Sequence, residues 1–293
     1  MFDDVVVDFW SSGRSAAAVK MWRENPVLRQ SAESRGSTTA FHERGVADIL
    51  QDMDAADIDV SVVSGMAGTN PLAPPENYSI HEVLGWCQTY PDRLRAALSI
   101  GGRDSISAVC RLIDDLAPNP FLVVVRVISI FLNEPIDSPR LYPVYEHCQA
   151  LGVPVSINVG VPGPRTRTRF QHPLLLDDIL IDFPDLTIIA AHMGHPWERL
   201  LIRFMRKYER LFLSNSAWPA KYLDPNVVTF MDSSTGRSRL IFASDAPFLT
   251  PQRAAREARE LPISPEAMKA FLGGNATRAL GLLPDGTLER HRH

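Results

Sequence analysis

Two apolar runs end on side chains that move protons, Ile-Ile-Ala-Ala-His192 and Ile-Phe-Ala-Ser-Asp245. A carboxylate takes a proton from water or substrate, and an imidazole orients a carbonyl or donates a proton. A third run, Val-Val-Val-Arg126, ends on a guanidinium, the group that binds a carboxylate or enolate bidentately. Each has an ordinary structural alternative: a helix cap for Asp245, a backbone-satisfied ring for His192, an ion pair for Arg126. Further runs close on Asp8 and Ser12, on Ser64, on Asn158 and on Ser214 to Ser216. Near them Trp10, His195, Trp197, Trp218 and Phe248 could contact a ligand or wall an apolar pocket. Arg165, Arg167 and Arg169 alternate with threonines, so an extended segment puts them on one face. That face is either a carboxylate-binding lid or a solvated loop.

For these groups to act together, the runs that carry them must be neighbours. Strand-like runs rich in β-branched residues cover 5–9, 60–64, 94–100, 122–128, 153–159, 186–191, 211–214 and 240–244. Several are apolar on consecutive residues, as in parallel strands covered on both faces. Helical patterns at 46–56, 75–90, 105–116, 140–151 and 196–208 fall between them. The alternation predicts an α/β fold, a (β/α)8 TIM barrel forming a single domain over 1–284, followed by a tail at 285–293. A doubly wound sheet is the alternative, but no G-x-G-x-x-G follows the first run. In a barrel the strand C-terminal ends share one mouth, which is where active sites form. A polar insertion at 11–45 follows the first strand, and a loop with one short helix over the mouth is expected there. A second irregular segment, 160–170, carries the three arginines. His291 and His293 in the tail are given no role.

The chain has 293 residues, 45% of them hydrophobic and 22% charged, with a net charge of −4. Such a chain can bury a large core, and it has no basic field to draw nucleic acid or anionic lipid. No apolar run approaches the ~20 residues of a membrane helix, and the acidic start is unlike a signal peptide. Cys87, Cys110 and Cys148 lie far apart with no C-x-x-C, which points to a reducing cytoplasm. The expected partner is a small molecule, with neither nucleic acid nor membrane, and a homo-oligomer is left open.

Several motifs then stand in a recognisable order. They are Leu-Thr-Ile-Ile-Ala-Ala-His192-Met-Gly-His195-Pro-Trp, Ser-Asn-Ser-Ala-Trp, Ile-Phe-Ala-Ser-Asp245-Ala-Pro-Phe and Gly-Gly-Asn275-Ala-Thr-Arg-Ala-Leu-Gly-Leu. Together they resemble the amidohydrolase superfamily. With Asp137-Ser-Pro-Arg-Leu-Tyr-Pro-Val-Tyr-Glu and the later Leu-Gly-Val-Pro-Val, the chain is similar to the branch containing aminocarboxymuconate-semialdehyde decarboxylase. The resemblance spans nearly the whole chain and implies a TIM barrel with one divalent metal, typically zinc, at the strand C-termini. The family's first strand ends Asp-x-His-x-His, but this chain reads Asp8-Phe9-Trp10-Ser11-Ser12. Its fifth strand supplies a histidine where Asn158 stands. Of the usual ligands only His192 and Asp245 survive, whereas a catalytic zinc takes three protein ligands. Indole cannot ligate, and hydroxyl and amide oxygens are poor zinc donors. No cofactor is therefore expected, the alternative being one divalent metal weakly held by His192, Asp245 and Asp8.

The expected function is metal-independent hydrolysis of a small carboxylated, lactone-like compound. Asp245 would be the general base toward water, His192 and His195 would polarise the carbonyl, and Arg126 would hold a carboxylate or oxyanion. Asn158 becomes a neutral hydrogen-bond donor. Ser12, Trp10, Trp218, Phe248, Arg165 and Arg167 would complete the substrate contacts. Two alternatives stay open: a lyase (decarboxylase, cyclase or dehydratase) and an inactive small-molecule binder.

Overall fold

The computed structural model describes residues 5–34, 36–69, 77–102, 104–282 and 288–289. Most of the expected tail, His291 and His293 included, lies outside them. The eight runs form β1 (Val7–Ser12), β2 (Val60–Met66), β3 (Leu94–Ile100), β4 (Leu122–Val127), β5 (Val155–Asn158), β6 (Ile188–Ala191), β7 (Leu211–Ser214) and β8 (Leu240–Ile241). They pair in parallel in chain order from β1 to β8, with helices between them. This is a TIM barrel.

Successive strand residues face opposite ways. Val62, Ala97, Val124 and Ile189 therefore join Phe9, Phe212 and Ile241 in one apolar cluster through the barrel. Their neighbours Val63, Leu98, Val125 and Ile188 pack outward against helical residues such as Ile49, Val83 and Ile113. Burying one such aliphatic side chain contributes about 1.5–3 kcal/mol, so the two layers supply the bulk of the stability.

The ring closes between β8 and β1 by an irregular ladder. Phe9 N–H donates to Phe242 O at 3.1 Å, Asp245 N–H to Trp10 O at 2.8 Å and Ser12 N–H to Ala246 O at 2.9 Å. Asp8 staples this seam. Its carboxylate accepts from Ser244 N–H at 2.8 Å, from Ser244 Oγ at 2.6 Å and from Trp10 N–H at 3.2 Å.

The insertion departs from expectation. Ser11 and Ser12 belong to β1, and two helices follow rather than one: α1 (Ala16–Glu24) and α2 (Pro26–Ser34). Ser15 caps α1 through Ala18 N–H. Asn25 Oδ1 accepts from Val27 and Leu28 N–H, and Pro26 supplies a helical φ at the first position of α2. Their apolar faces put Trp22, Leu28 and Ala32 into a small cluster with Ala40, on which Met21, Phe41, Phe131 and Phe248 pack. The helical periodicity was masked by the segment's polar composition.

Candidate active site

A cavity of about 560 Å³ opens at the strand C-terminal mouth, beneath α1 and α2. Trp10, Ser12, Asn158 and His192 line it, as do His195, Trp218, Asp245 and Phe248. A smaller cavity of about 280 Å³ lies at the opposite end, where Val153, Pro154 and Arg210 border it.

His192 and Asp245 leave their strands in the left-handed region, with φ of 63° and 58°, and Ala217 after β7 has φ of 59°. Backbone held there against its preference clusters at functional sites. His192 is fixed from its own backbone outward. Its N–H donates to Ser216 Oγ at 3.1 Å, and Nδ1 lies 2.9 Å from Ser216 O. Ser216 Oγ lies 3.0 Å from the same nitrogen, so Nδ1 either donates to the carbonyl or accepts from the hydroxyl. The ring packs 5.1 Å from the Trp10 indole. Asp245 is 8% exposed, and its backbone N–H is spent on Trp10 O. His195 stands at the rim, with Nδ1 2.7 Å from Glu198 Oε1 and its ring stacked 4.4 Å from Trp218. Gly160, with φ of 98°, lets the loop after β5 lie on this turn. A Cβ there would stand 2.7 Å from the Gly194 carbonyl carbon.

Arg126 is elsewhere. β4 runs one residue past it, and the strand alternation that turns Val124 into the barrel does the same to Arg126, which is 0% exposed. Its guanidinium donates to Phe9 O, Val62 O and Ser64 Oγ, with the Trp10 ring 4.1 Å above it. It lies under the floor and is not among the cavity-lining residues. Burial lowers its pKa to about 9, opposed by the carboxylates of Asp245 and Asp8. Arg165 and Arg167 are also outside the cavity: both are exposed, and Arg167 bonds Asn133 Oδ1 at 3.2 Å. Their loop edges the cavity instead through Val161, Pro162, Gly163 and Pro164.

Two arginines line the cavity: Arg253, half-buried and paired with Glu257 at 2.8 Å, and the buried Arg14, which the sequence did not single out. Arg14 is 5% exposed, and its guanidinium carbon lies 5.1 Å from the rings of both Trp22 and Phe248. The signal available was an arginine two residues past the first strand, after Gly13. A Cβ on Gly13 would stand 2.6 Å from the Tyr78 ring, so a larger residue there would require that ring to shift. Four lining residues carry buried polar atoms with no partner: Arg14 Nε, Ser31 Oγ, Ser99 Oγ and Asn158 Oδ1. Buried polar groups are nearly always bonded, so these four atoms mark where water or a polar ligand would bond.

A sequence profile of the amidohydrolase family matches residues 22–282. No curated protein matches the chain in sequence. Among similar solved structures is an uncharacterised TIM-barrel protein of Bordetella bronchiseptica, 22% identical with a TM-score of 0.77, over 94% of this chain and 98% of that one. 5-Carboxyvanillate decarboxylase of Sphingomonas paucimobilis is 15% identical with a TM-score of 0.70, again over 94% and 98%. Dihydroxybenzoic acid decarboxylase of Polaromonas sp. JS666, crystallised with manganese and the inhibitor 2-nitroresorcinol, is 16% identical with a TM-score of 0.67, over 95% and 97%.

That manganese corrects the expectation of no cofactor, since this fold does appear with a bound divalent metal. The weakly held alternative needs correction too. Asp8 is fully buried and its carboxylate is occupied by Ser244 and Trp10 N–H, so it cannot be a third ligand. Burial raises its pKa, partly offset by the Ser244 bonds. Among the described residues no group of three or more His, Cys, Asp or Glu side chains converges. Of the usual ligands, His192 and Asp245 line the cavity, two where a catalytic zinc takes three.

Proposed function

The chain belongs to the amidohydrolase family, and from that membership we propose that it is a carboxy-lyase for a small aromatic acid. One observation carries the proposal: a single cavity places indole and phenyl walls, a buried guanidinium and the pair Asp245 and His192 around one space. The similar structures of named activity reported above are decarboxylases, which favours the lyase alternative over lactone hydrolysis.

Decarboxylation of an aromatic acid asks little beyond a proton in the right place. The ring carbon that bears the carboxylate takes a proton, and a ring hydroxyl makes that carbon electron-rich enough to accept it. The bond to the carboxylate then breaks, its electron pair restores the aromatic ring, and carbon dioxide leaves. In the tautomer that donates Nδ1–H to Ser216 O, His192 takes a proton from water at Nε2 and passes it to Asp245, and the hydroxide left behind is released to bulk solvent. Asp245 delivers it to the ring carbon, and the walls exclude bulk water while the proton is in transit.

The test is product analysis in deuterated water with 2,6-dihydroxybenzoate and 5-carboxyvanillate. The expected result is carbon dioxide release, with one deuterium on the carbon that lost the carboxylate. Uptake of water without carbon dioxide by a lactone panel would restore the hydrolytic scheme. Turnover of neither class would leave the inactive binder.

A further inference from the structure

We propose that Arg14 is the anion anchor of the mouth cavity, binding an acidic group that the product keeps; the choice of an aromatic acid rests on the lyase reading. Arg14 is the cavity's buried guanidinium and is poorly satisfied. Nη1 reaches only Gly13 O, at 3.4 Å, and Nε has no partner. Among the described residues it forms no ion pair within 4 Å, unlike Arg44, which holds Asp52 at 2.8 Å. Trp22 from α1 and Phe248 from the loop after β8 each lie 5.1 Å from its guanidinium carbon and 4.9 Å from each other, so the two rings pack against it from one side. Asp245 lies close enough to act on it electrostatically, and burial still leaves its pKa at about 10, so it is charged at neutral pH. A ring anchored on this cation would share the cavity with Asp245 and His192.

Which acidic group it holds follows from the chemistry. Carbon dioxide departs uncharged, so a cation on the departing carboxylate would stabilise the bound acid more than the transition state. Arg14 contributes to turnover only if it grips a second anionic group that stays on the ring. The substrate class is then an aromatic acid with two acidic groups, and the product remains a monoacid.

Benzoate stands in for such a product, and benzamide is its neutral isostere. Both can be titrated into the full-length protein by tryptophan fluorescence, since Trp10, Trp22 and Trp218 line the cavity. A charge-assisted bond predicts that benzoate binds about tenfold or more tighter than benzamide. Arg14→Met should erase that preference, and Arg14→Lys should keep part of it, lacking the bidentate fork. Near-ultraviolet circular dichroism of each variant reports whether the aromatic cage survives. If Arg14→Met loses that signal, Arg14→Lys alone decides. Equal affinity of the parent for both probes, or a preference retained in full by the variants, overturns the inference. Binding needs no turnover, so a lyase reading that fails on products leaves this result standing, and the reverse also holds.

Discussion

At the scale of single residues, the left-handed corner at Asp245 decides which substitution is informative. A side chain at φ of 58° carries a steric cost on the order of 1–2 kcal/mol that Asp and Asn bear best. Asp245→Asn therefore keeps the corner and the N–H bond to Trp10 O, and removes the proton carrier together with the charge that acts on Arg14 and Arg126. Turnover should fall about 10²–10⁴-fold while stability shifts by about 1 kcal/mol or less. Steady-state kinetics with thermal melting checks both, and a folded variant at parental rate removes Asp245 from the chemistry. His192 and Asp245 were legible because a polar residue ending an apolar run must reach the mouth of a parallel barrel. Arg126 was misplaced because it does not end its strand: β4 continues to Val127, and the alternation turns Arg126 inside the barrel below the mouth. Arg14 was invisible because the turn that carries it packs Gly13 against Tyr78, a contact distant in sequence.

At the scale of elements, the seam between β8 and β1 does the positioning. β8 pairs for only two residues, because Phe242 N–H turns to Phe271 O and the chain then crosses to β1. The sequence predicts a strand over 240–244, and the length differs because that carbonyl comes from a helical segment no local pattern announces. Ser244 locks the crossing, donating to Asp8 Oδ2 at 2.6 Å and accepting from Ala246 N–H at 3.0 Å. Ser244→Ala leaves a buried carboxylate oxygen without that donor, which should cost about 1–3 kcal/mol in denaturant unfolding. Because Asp245 is the next residue, kcat should fall as well. Unchanged stability would show that the seam is held by backbone alone. β3 and β7 match the sequence limits, 94–100 and 211–214, and each pairs in parallel with a strand on both sides.

At the scale of the whole molecule, the barrel and the α1–α2 cover are unequal partners. The cover's cluster around Trp22 is separate from the two barrel layers. Trp22→Ala should open the cover locally: proteolysis within 16–34 should quicken while the midpoint of barrel unfolding holds. A matching fall in the midpoint would make cover and barrel one cooperative unit. Among the described residues no helix is long and apolar enough to cross a membrane. Inside the barrel, Arg126 ties β4 to the Phe9 and Val62 carbonyls of β1 and β2, with the Trp10 indole as its lid. The two side chains thus form one heritable character. A lineage that shrinks residue 10 uncovers a guanidinium at the cavity floor, and one that neutralises residue 126 leaves two strand carbonyls without a donor. Drift at either position is held in check by the other, so the pair should change together or stay fixed.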